Sequence, residues 1–408
     1  MSILQKLQQD RIFYISALLF AFILPLSRAA ISFFILWFIV LFIARRDYRT
    51  SWELLKTNRA FVAMGAFIAF MFISTLWSSD IHTGLKQMRL YSYWIIIPIL
   101  AVTLKKEWLP TIISAFLGGM FVSEILAYGI FFDLWSINGR TPDYPSPFMS
   151  HIHYSLFLAT TSIILLSRIL SNRYHWKIKL LMLIFFLTAT GNLMFSTGRT
   201  GQLAFFIALG VAIIIHYRLT LKSFLLFISF SFAIFTLAYS TFDLFSKRID
   251  SGMQDIRNIQ ANNFSNSFGE RAAFWIITKD ILQEHPLIGA GIGDYKHAAA
   301  EALEKNNHGF SPYVIKWCKS THFHNQYLMI LAQGGLIGFI LMLWLLTELF
   351  RLKIQDKEVK EFSLLGLSVF TVGCIAEPLW ILQFPIILFV FISAVSLASA
   401  LSSQRMEK

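Results

Sequence analysis

The chain has 408 residues, of which 56% are hydrophobic and 16% aromatic, while only 14% are charged, and its mean hydropathy is +0.61. The core of a water-soluble protein cannot bury so much apolar surface, so the composition excludes an ordinary soluble enzyme. It indicates instead that a lipid bilayer surrounds much of the chain. The net charge of +12 does not indicate nucleic-acid binding, because the basic residues lie in short loops between apolar stretches.

Apolar stretches long enough to cross a bilayer recur along the whole chain. A spanning helix needs about 20 mostly apolar residues, and about twelve stretches of that kind are present. We predict spans at 12–27, 29–44, 60–77, 88–104, 109–132, 152–170, 180–196, 201–217, 223–241, 325–350, 363–378 and 380–400. The sequence therefore predicts one all-α polytopic membrane domain over 1–408, with one large outer loop at 242–324. No cleavable signal is expected, because the first stretch runs into the second without a small-residue cleavage site.

The distribution of basic residues predicts the orientation. Loops such as RRDYR (45–49), KK (105–106) and RLKIQDKEVK (351–360) are basic, whereas the short loops on the opposite side carry few Lys or Arg. Basic loops stay in the cytoplasm. We therefore expect both termini in the cytoplasm and the 242–324 loop on the outer face.

Three ionisable residues in the first half of the chain are candidates of second rank. Lys86 and Arg89 lie near the outer end of the fourth predicted span and could help bind a lipid phosphate, although anchoring at the membrane interface explains them equally well. Glu124 lies within the fifth span, where an acid is a functional candidate by default; a partner for another buried polar group is the alternative.

The turn in STGRTGQLAF (196–205) places Arg199 between two spans on the expected outer face. Placing an arginine at the centre of a membrane helix costs about 2.5–3.5 kcal/mol of insertion free energy. An arginine this close to the hydrocarbon is therefore expected to have an ion-pair partner or a functional role. Flanking glycines leave the guanidinium and the backbone accessible, as an anion site requires, whereas a simple interface anchor is the alternative.

Arg271 opens an amphipathic helix in SFGERAAFWIITKDILQEHPLIGAGIGDY (267–295), which is suited to lie on the membrane or on the helix bundle. The GAGIGDY segment (289–295) is a weak phosphate-loop candidate, because no strand precedes it and no Lys-Ser/Thr follows. A turn after Pro286 explains its glycines better.

STHFHNQYLMILAQGGLIG (320–338) places His324 and Asn325 where an apolar helix begins on the outer face. At about 100° per residue, His324, Gly335 and Gly338 share one stripe of that helix. Gly334 and Gly338 also form a Gly-x-x-x-Gly pair, which lets a neighbouring helix approach closely. An interface histidine without a catalytic role is the alternative.

Two histidine pairs, His151-x-His153 and His322-x-His324, raise the question of a metal site. We expect none, because residues two apart do not share a helix face and no carboxylate accompanies either pair in the sequence. For the same reason, His322 is expected on a different side of the helix start from His324. The two cysteines, Cys318 and Cys374, fall in the loop and in a span, so a disulfide is not expected.

Together these motifs resemble the O-antigen ligase and polymerase superfamily, and the ligases most closely. The most specific pattern is His-Asn, nine residues, Gly, two residues, Gly, which His324, Asn325, Gly335 and Gly338 meet. The Ser-x-Gly-Arg turn at Arg199 fits as well. A third pattern, Arg-x-x-x-Trp followed by His-Pro-x-x-Gly-x-Gly, is met by Arg271, Trp275, His285, Pro286, Gly289 and Gly291.

The resemblance implies a GT-C-like glycosyltransferase of the bacterial inner membrane that moves polysaccharide from undecaprenyl pyrophosphate onto lipid A–core at the periplasmic face. It implies that Arg199 and Arg271 bind pyrophosphate, that His324 is catalytic and that no cofactor is needed; Asn325, Lys86 and Arg89 are expected to assist substrate binding. This chemistry suits the residues, because arginine binds phosphate oxygens in pairs and histidine can accept a hydroxyl proton. An O-antigen polymerase and a lipid-linked sugar flippase or transporter are the alternatives, and the oligomeric state is not predicted.

Overall fold

The structure, a computed structural model, describes residues 3–406, and the side chains of residues 8–402. The described chain is helical throughout, as predicted. Its eighteen α-helices are α1 (Ile3–Ile23), α2 (Arg28–Arg45), α3 (Tyr48–Leu55), α4 (Arg59–Ile73), α5 (Ile81–Tyr91), α6 (Ile96–Thr103), α7 (Leu109–Phe131), α8 (His151–Leu170), α9 (Trp176–Phe195), α10 (Arg199–Tyr217), α11 (Leu221–Thr241), α12 (Asp243–Gln260), α13 (Ser267–Glu284), α14 (Tyr295–Lys305), α15 (Pro312–Ser320), α16 (Gln326–Phe350), α17 (Lys357–Gly373) and α18 (Gln383–Met406).

Nine helical segments within residues 3–406 are long and apolar enough to cross a membrane. They coincide with nine of the predicted spans: α2, α4 with the turn that follows it, α7 with the turn that precedes it, α8, α9, α10, α11, α16 and α18. The side chains of α11 fit this assignment, because only 11% of its apolar window is buried and the rest faces outward, where lipid would lie. The chain is therefore an all-α multi-pass membrane protein.

The other three predicted spans differ from the structure. The prediction of a single helix at 88–104 was wrong: α5 ends at Tyr91, a 3-10 turn follows, and α6 has only eight residues. The predicted span 12–27 lies in α1, whose first half is polar. The predicted span 363–378 lies in α17, which begins six residues earlier with charged residues and ends at Gly373. Hydropathy identifies the apolar stretches in these three regions but does not show where their helices begin and end.

Helix α18 forms the centre of the main bundle. All of its apolar window is buried, and it contacts α2, α6, α8, α16 and α17. A helix that is apolar on every side must be enclosed by other helices or by lipid, and here other helices enclose it. The main apolar core therefore lies around α18, with α1 and α7 paired on one side and α4 packed against α16 on another.

The 242–324 segment contains the four helices α12 to α15, and most of it packs around a second apolar core. Phe274, Ile277 and Ile281 on α13 contribute to that core, together with residues of α14 and α15 and with Leu328 and Met329 at the start of α16. The second half of α16 belongs instead to the main core. Helix α16 therefore joins the two cores.

Helix α16 is broken at Gly335, where the backbone adopts φ 58° and ψ −156°. Such a break frees backbone groups that must find other partners in apolar surroundings. The 286–291 segment supplies them through four backbone hydrogen bonds of 2.9–3.0 Å to residues 332–337. The break also means that the single helical stripe predicted for His324, Gly335 and Gly338 was wrong.

Close backbone contact explains the glycines of both segments. A Cβ atom on Gly289, which has φ 68°, would lie 2.5 Å from the backbone of Gly334, and one on Gly335 would lie 2.5 Å from that of Leu287. The amides of the GAGIGDY segment bond to α16 and to Ser78, so the interpretation of this segment as a turn is confirmed.

The Gly-x-x-x-Gly pair of α16 has the predicted function. The ring of Phe70 on α4 lies over it, 3.1 Å from a Cβ built on Gly334 and 3.2 Å from one built on Gly338. The two helices therefore pack closely at this point.

Replacing Gly335 by alanine should lower the free energy of unfolding by more than about 2 kcal/mol, because its dihedral angles are essentially restricted to glycine and the new methyl group would overlap Leu287. Gly65 on α4 is the matched control, since a Cβ there meets no atom within 4 Å. The thermal unfolding of the two detergent-solubilised variants measures the difference. Equal midpoints would contradict the proposed role of the break.

Candidate functional site

The predicted site residues of the second half of the chain come together at one end of the bundle. Arg199 is the first residue of α10, Arg271 lies in the second turn of α13, and His324 precedes the start of α16. The first turn of α8 and the break between α17 and α18 lie at the same end, because both contribute residues to the same cavity. Folding thus gathers polar and ionisable groups from separate parts of the chain.

A cavity of about 470 Å³ lies between these elements. Its polar part is formed by three arginines, Arg199, Arg248 and Arg271, with His151 beside them. Its apolar part is formed by α10, α11 and α12, and these side chains are Leu203, Phe206, Phe235, Phe245, Ile249, Met253 and Ile256. A cavity with three cations at one end and hydrocarbon along its walls suits a ligand with an anionic head and a long apolar chain.

Two of the arginines retain donors for such a ligand. Nε and Nη1 of Arg199 and Nε of Arg271 are buried and have no hydrogen-bond partner among the described residues. Arg199 lies 3.7 Å from a carboxylate oxygen of Asp255 and over the ring of Phe268. Nη1 of Arg271 donates to the hydroxyl and to the backbone carbonyl of Ser267 at 2.7 and 2.8 Å. These contacts position both guanidinium groups and leave part of each available to an anion.

His324 is bonded to a buried carboxylate. Nδ1 of His324 lies 3.0 Å from Oε1 of Glu377, whose side chain is only 3% exposed. Nη2 of Arg271 lies 4.0 Å from the same oxygen, so Glu377 connects the histidine to the arginine that lines the cavity. Trp317 stacks on the imidazole at 5.8 Å with nearly parallel rings. The backbone of His324 has φ 47°, a conformation that is uncommon outside glycine and that concentrates at functional sites.

The carboxylate is stabilised in its ionised form. Burial alone would raise the pKa of Glu377, but the hydrogen bond from His324 and the neighbouring His324, His322 and Arg271 side chains outweigh burial and lower that pKa. An ionised Glu377 accepts a hydrogen bond from the N–H at Nδ1 of His324. That bond leaves Nε2 as the imidazole nitrogen that can accept a further proton.

The structure corrects two expectations about the histidine pairs. His322 and His324 precede a helix instead of lying on one, and their ring centroids are 4.2 Å apart, so the prediction that they lie on different sides was wrong. The expectation that no carboxylate accompanies this pair was also wrong, because Glu377 lies beside it. Burial and the neighbouring His324 lower the pKa of His322 to about 4, which keeps it neutral at pH 7.

His322, His324 and Glu377 form a group that could hold a metal ion, since one ligand atom of each lies within 4.8 Å of the others. In the structure, Nδ1 of His324 is paired with Glu377, and Nδ1 of His322 accepts from the backbone N–H of His324 at 3.4 Å. The described geometry is that of a hydrogen-bonded pair.

Four other predicted residues lie apart from the cavity. The side-chain oxygen of Asn325 accepts from the N–H groups of Tyr327 and Leu328, so it caps α16. Lys86 and Arg89 are exposed on α5 and do not line the cavity. Glu124 is 2% exposed within α7, and neither carboxylate oxygen has a hydrogen-bond partner among the described residues.

Sequence reasoning missed Glu377 and Arg248. Glu377 stands in the stretch AEPLW (376–380), where proline and a single acid mark a break between apolar helices, and that break was the available signal. Arg248 lies on the amphipathic helix α12 among other charged residues, and nothing in its local sequence separates it from a solvated surface arginine.

Comparison with known proteins finds a similarity over part of the chain. Residues 180–343 match the model of the protein family Wzy_C, described as O-Antigen ligase; this is less than half of the chain, and it includes Arg199, Arg271 and His324. The domain is shared by O-antigen ligases and polymerases, so this part of the chain is similar to membrane enzymes that transfer lipid-linked glycans, and the match does not separate the two activities. No curated protein matches the chain.

Glu377→Gln should reduce glycan transfer, by up to the factor of about 10²–10⁴ that a general base contributes, because an amide cannot stabilise a protonated imidazole. Single-turnover rates measure the effect. Glu284→Gln, in an exposed ion pair with Lys305, is the control; a Glu377→Gln protein with the wild-type rate would contradict a positioning role.

Proposed function

We propose that this protein is an O-antigen ligase that transfers polysaccharide from undecaprenyl pyrophosphate to a hydroxyl group of lipid A–core. The observation that carries the proposal is the combination of an arginine-lined, apolar-walled cavity with an adjacent histidine–carboxylate pair. A lipid-linked pyrophosphate has the matching parts, namely a dianionic head and a long hydrocarbon chain. The acceptor substrate needs a base that removes the proton of its hydroxyl group, and the histidine of the pair is such a base.

In this proposal the arginines bind the donor's pyrophosphate. Each guanidinium presents several N–H donors in a plane and stays charged, so Arg199 and Arg271 can each hold two phosphate oxygens. Arg248 adds a third positive charge to the same cavity. These charges stabilise the pyrophosphate as it leaves and acquires negative charge, which is electrostatic preorganisation that requires no metal.

The transfer step then proceeds as a direct displacement. The acceptor hydroxyl oxygen attacks the anomeric carbon, the bond from that carbon to the pyrophosphate oxygen breaks, and the hydroxyl proton passes to Nε2 of His324. Glu377 holds the imidazole through Nδ1 and stabilises the positive charge that develops on it. A single displacement inverts the configuration at the anomeric carbon.

The main alternative is an O-antigen polymerase, which would use the same donor and the same cavity with a growing glycan as acceptor. A flippase or transporter, the alternative from another class, is expected to hold charged groups near the bilayer midplane between broken helices. Here the clusters of charged groups lie at the two ends of the bundle, with Glu124 as the exception. This arrangement favours an enzyme over a transporter.

Purified protein supplied with undecaprenyl-pyrophosphate glycan should transfer it to lipid A–core and not to a free lipid-linked glycan, and it should do so in the presence of a chelator. Product analysis by gel and mass spectrometry measures the transfer. Elongation of the glycan alone would replace the ligase with the polymerase. Activity that is lost in chelator and restored by one divalent ion would support a metal at His322, His324 and Glu377.

Variants should separate donor binding from chemistry. Arg199→Lys and Arg271→Lys keep one charge but lose the planar fork, so both should weaken donor binding and slow turnover. His324→Ala should retain most donor binding but lose about 10²–10⁴-fold in transfer rate. Donor affinity and single-turnover rate, measured on each variant at matched membrane levels, test this difference.

Arg89→Lys is the matched control for these variants, because Arg89 is an exposed arginine that does not line the cavity. It should leave both donor affinity and transfer unchanged. His324→Ala protein with near-normal transfer would exclude His324 as the general base.

We further propose that the site faces the periplasm and that both termini face the cytoplasm, as the basic loops predict. In protein whose two buried native cysteines are replaced by alanine, Thr141→Cys and Ala261→Cys at the site end should react with an impermeant maleimide in intact spheroplasts. Gln355→Cys, equally exposed at the other end, should react only after lysis. Labelling of Gln355→Cys alone in intact spheroplasts would reverse the orientation.

A further inference from the structure

A second large cavity lies at the end of the bundle opposite the candidate site. Its volume is about 950 Å³, and it is formed by the turn before α4, the end of α16, the linker 351–355 and single residues of α17 and α18. Four basic side chains line it, namely Arg59, Arg351, Lys353 and Lys360, against one described carboxylate, Glu348. Helix α16 separates it from His324 by 25 residues, or about 37 Å of helix.

The four basic groups form no ion pair with the described part of the chain. None of them lies within 4.0 Å of a carboxylate oxygen of the described residues. Like charges gathered around one cavity repel each other, so the arrangement is stabilised when an anion enters. The acids of the same linker and of the start of α17, in contrast, are paired.

The acids of the linker and of α17 face away from the cavity. Asp356 and Glu358 pair with Arg173 at 3.4 and 3.1 Å, and Glu358 also pairs with the buried Arg168 at 2.5 Å. Glu361 accepts from Ser167 and lies 3.6 Å from His216. The acidic side chains of this segment therefore pair with residues in and after α8 and with α10. The basic side chains Arg351, Lys353 and Lys360 line the cavity instead.

The position of the cavity indicates the kind of anion. Three helical segments long and apolar enough to cross a membrane end at it: α4 begins at Arg59, α16 ends at Phe350, and Ala400 lies near the end of α18. Ends of spanning helices lie at the level of lipid head groups. Ala60, Leu352, Ile354 and Ala400 add apolar surface, against which acyl chains can pack.

We propose that this cavity binds the head group of an anionic phospholipid, with the phosphate among Arg351, Lys353, Lys360 and Arg59. Basic pockets between membrane helices on the cytoplasmic side recognise such head groups, and each nearby Lys or Arg contributes about a fivefold increase in affinity, which corresponds to about 1 kcal/mol. The site is independent of the proposed transfer reaction, since it shares no residue with the arginine-lined cavity.

The test uses the full-length protein in nanodiscs of a zwitterionic phospholipid, to which phosphatidylglycerol or cardiolipin is added. Thermal unfolding and native mass spectrometry should show a stabilised protein with anionic lipid retained. Arg351→Gln with Lys353→Gln should weaken that binding about 25-fold, a factor of about five for each charge. Unfolding in zwitterionic lipid alone should match the wild type, which distinguishes lost binding from a damaged fold.

The matched control is Lys179→Gln with Lys222→Gln, which removes two positive charges at the starts of α9 and α11 without touching the cavity. Equal weakening by the control pair would overturn the proposal in favour of general surface charge. Inorganic phosphate that stabilises the protein as much as the lipid does would overturn the assignment to a phospholipid. Wild-type protein that shows no preference for anionic lipid would overturn it entirely.

Discussion

The arrangement of the candidate site depends on the break in α16 at Gly335. A spanning helix normally satisfies its own backbone, and an interruption in apolar surroundings costs several kcal/mol for each unpaired group. Here the 286–291 segment enters the interruption and exchanges four backbone hydrogen bonds with it. The exchange requires backbones closer than a Cβ atom permits, so Gly289 and Gly335 are fixed by the same contact. It ties the end of α13 to the middle of α16.

That connection places the site at the junction of two apolar cores. Arg271 on α13 and His324 before α16 lie next to residues of the second core, whereas Arg199 and Glu377 extend from helices of the main bundle. The contacts of Glu377 with His324 at 3.0 Å and with Arg271 at 4.0 Å both cross the junction. Any displacement of one core relative to the other therefore changes the geometry of the histidine–carboxylate pair and the width of the cavity together.

The two ends of the bundle use charge in different ways. At the site end, cations face a cavity with apolar walls and keep unpaired donors, as binding an amphiphilic anion requires. At the other end, Arg168 and Arg173 form ion pairs with acids of the 356–361 segment. The basic residues that line the larger cavity there are Arg59, Arg351, Lys353 and Lys360. The basic residues of the chain thus divide among the candidate functional site, an internal ion-pair network and a proposed lipid site.

The sequence by itself determined what depends on local composition. Apolar length identified nine spans, and the Arg199 turn, the Arg271 helix and the His324–Asn325 pair identified residues that the fold brings to one end. Hydropathy could not divide 81–103 into two helices, because it averages over the turn at residues 92–95. Only tertiary structure decided which partners these residues have. Glu377 lies 53 residues after His324, and Arg248 is 23 residues before Arg271, with which it lines the same cavity, so no local pattern predicts either position. Pairing across a packed junction is set by how two cores dock, and a single sequence does not encode that docking in any fixed spacing.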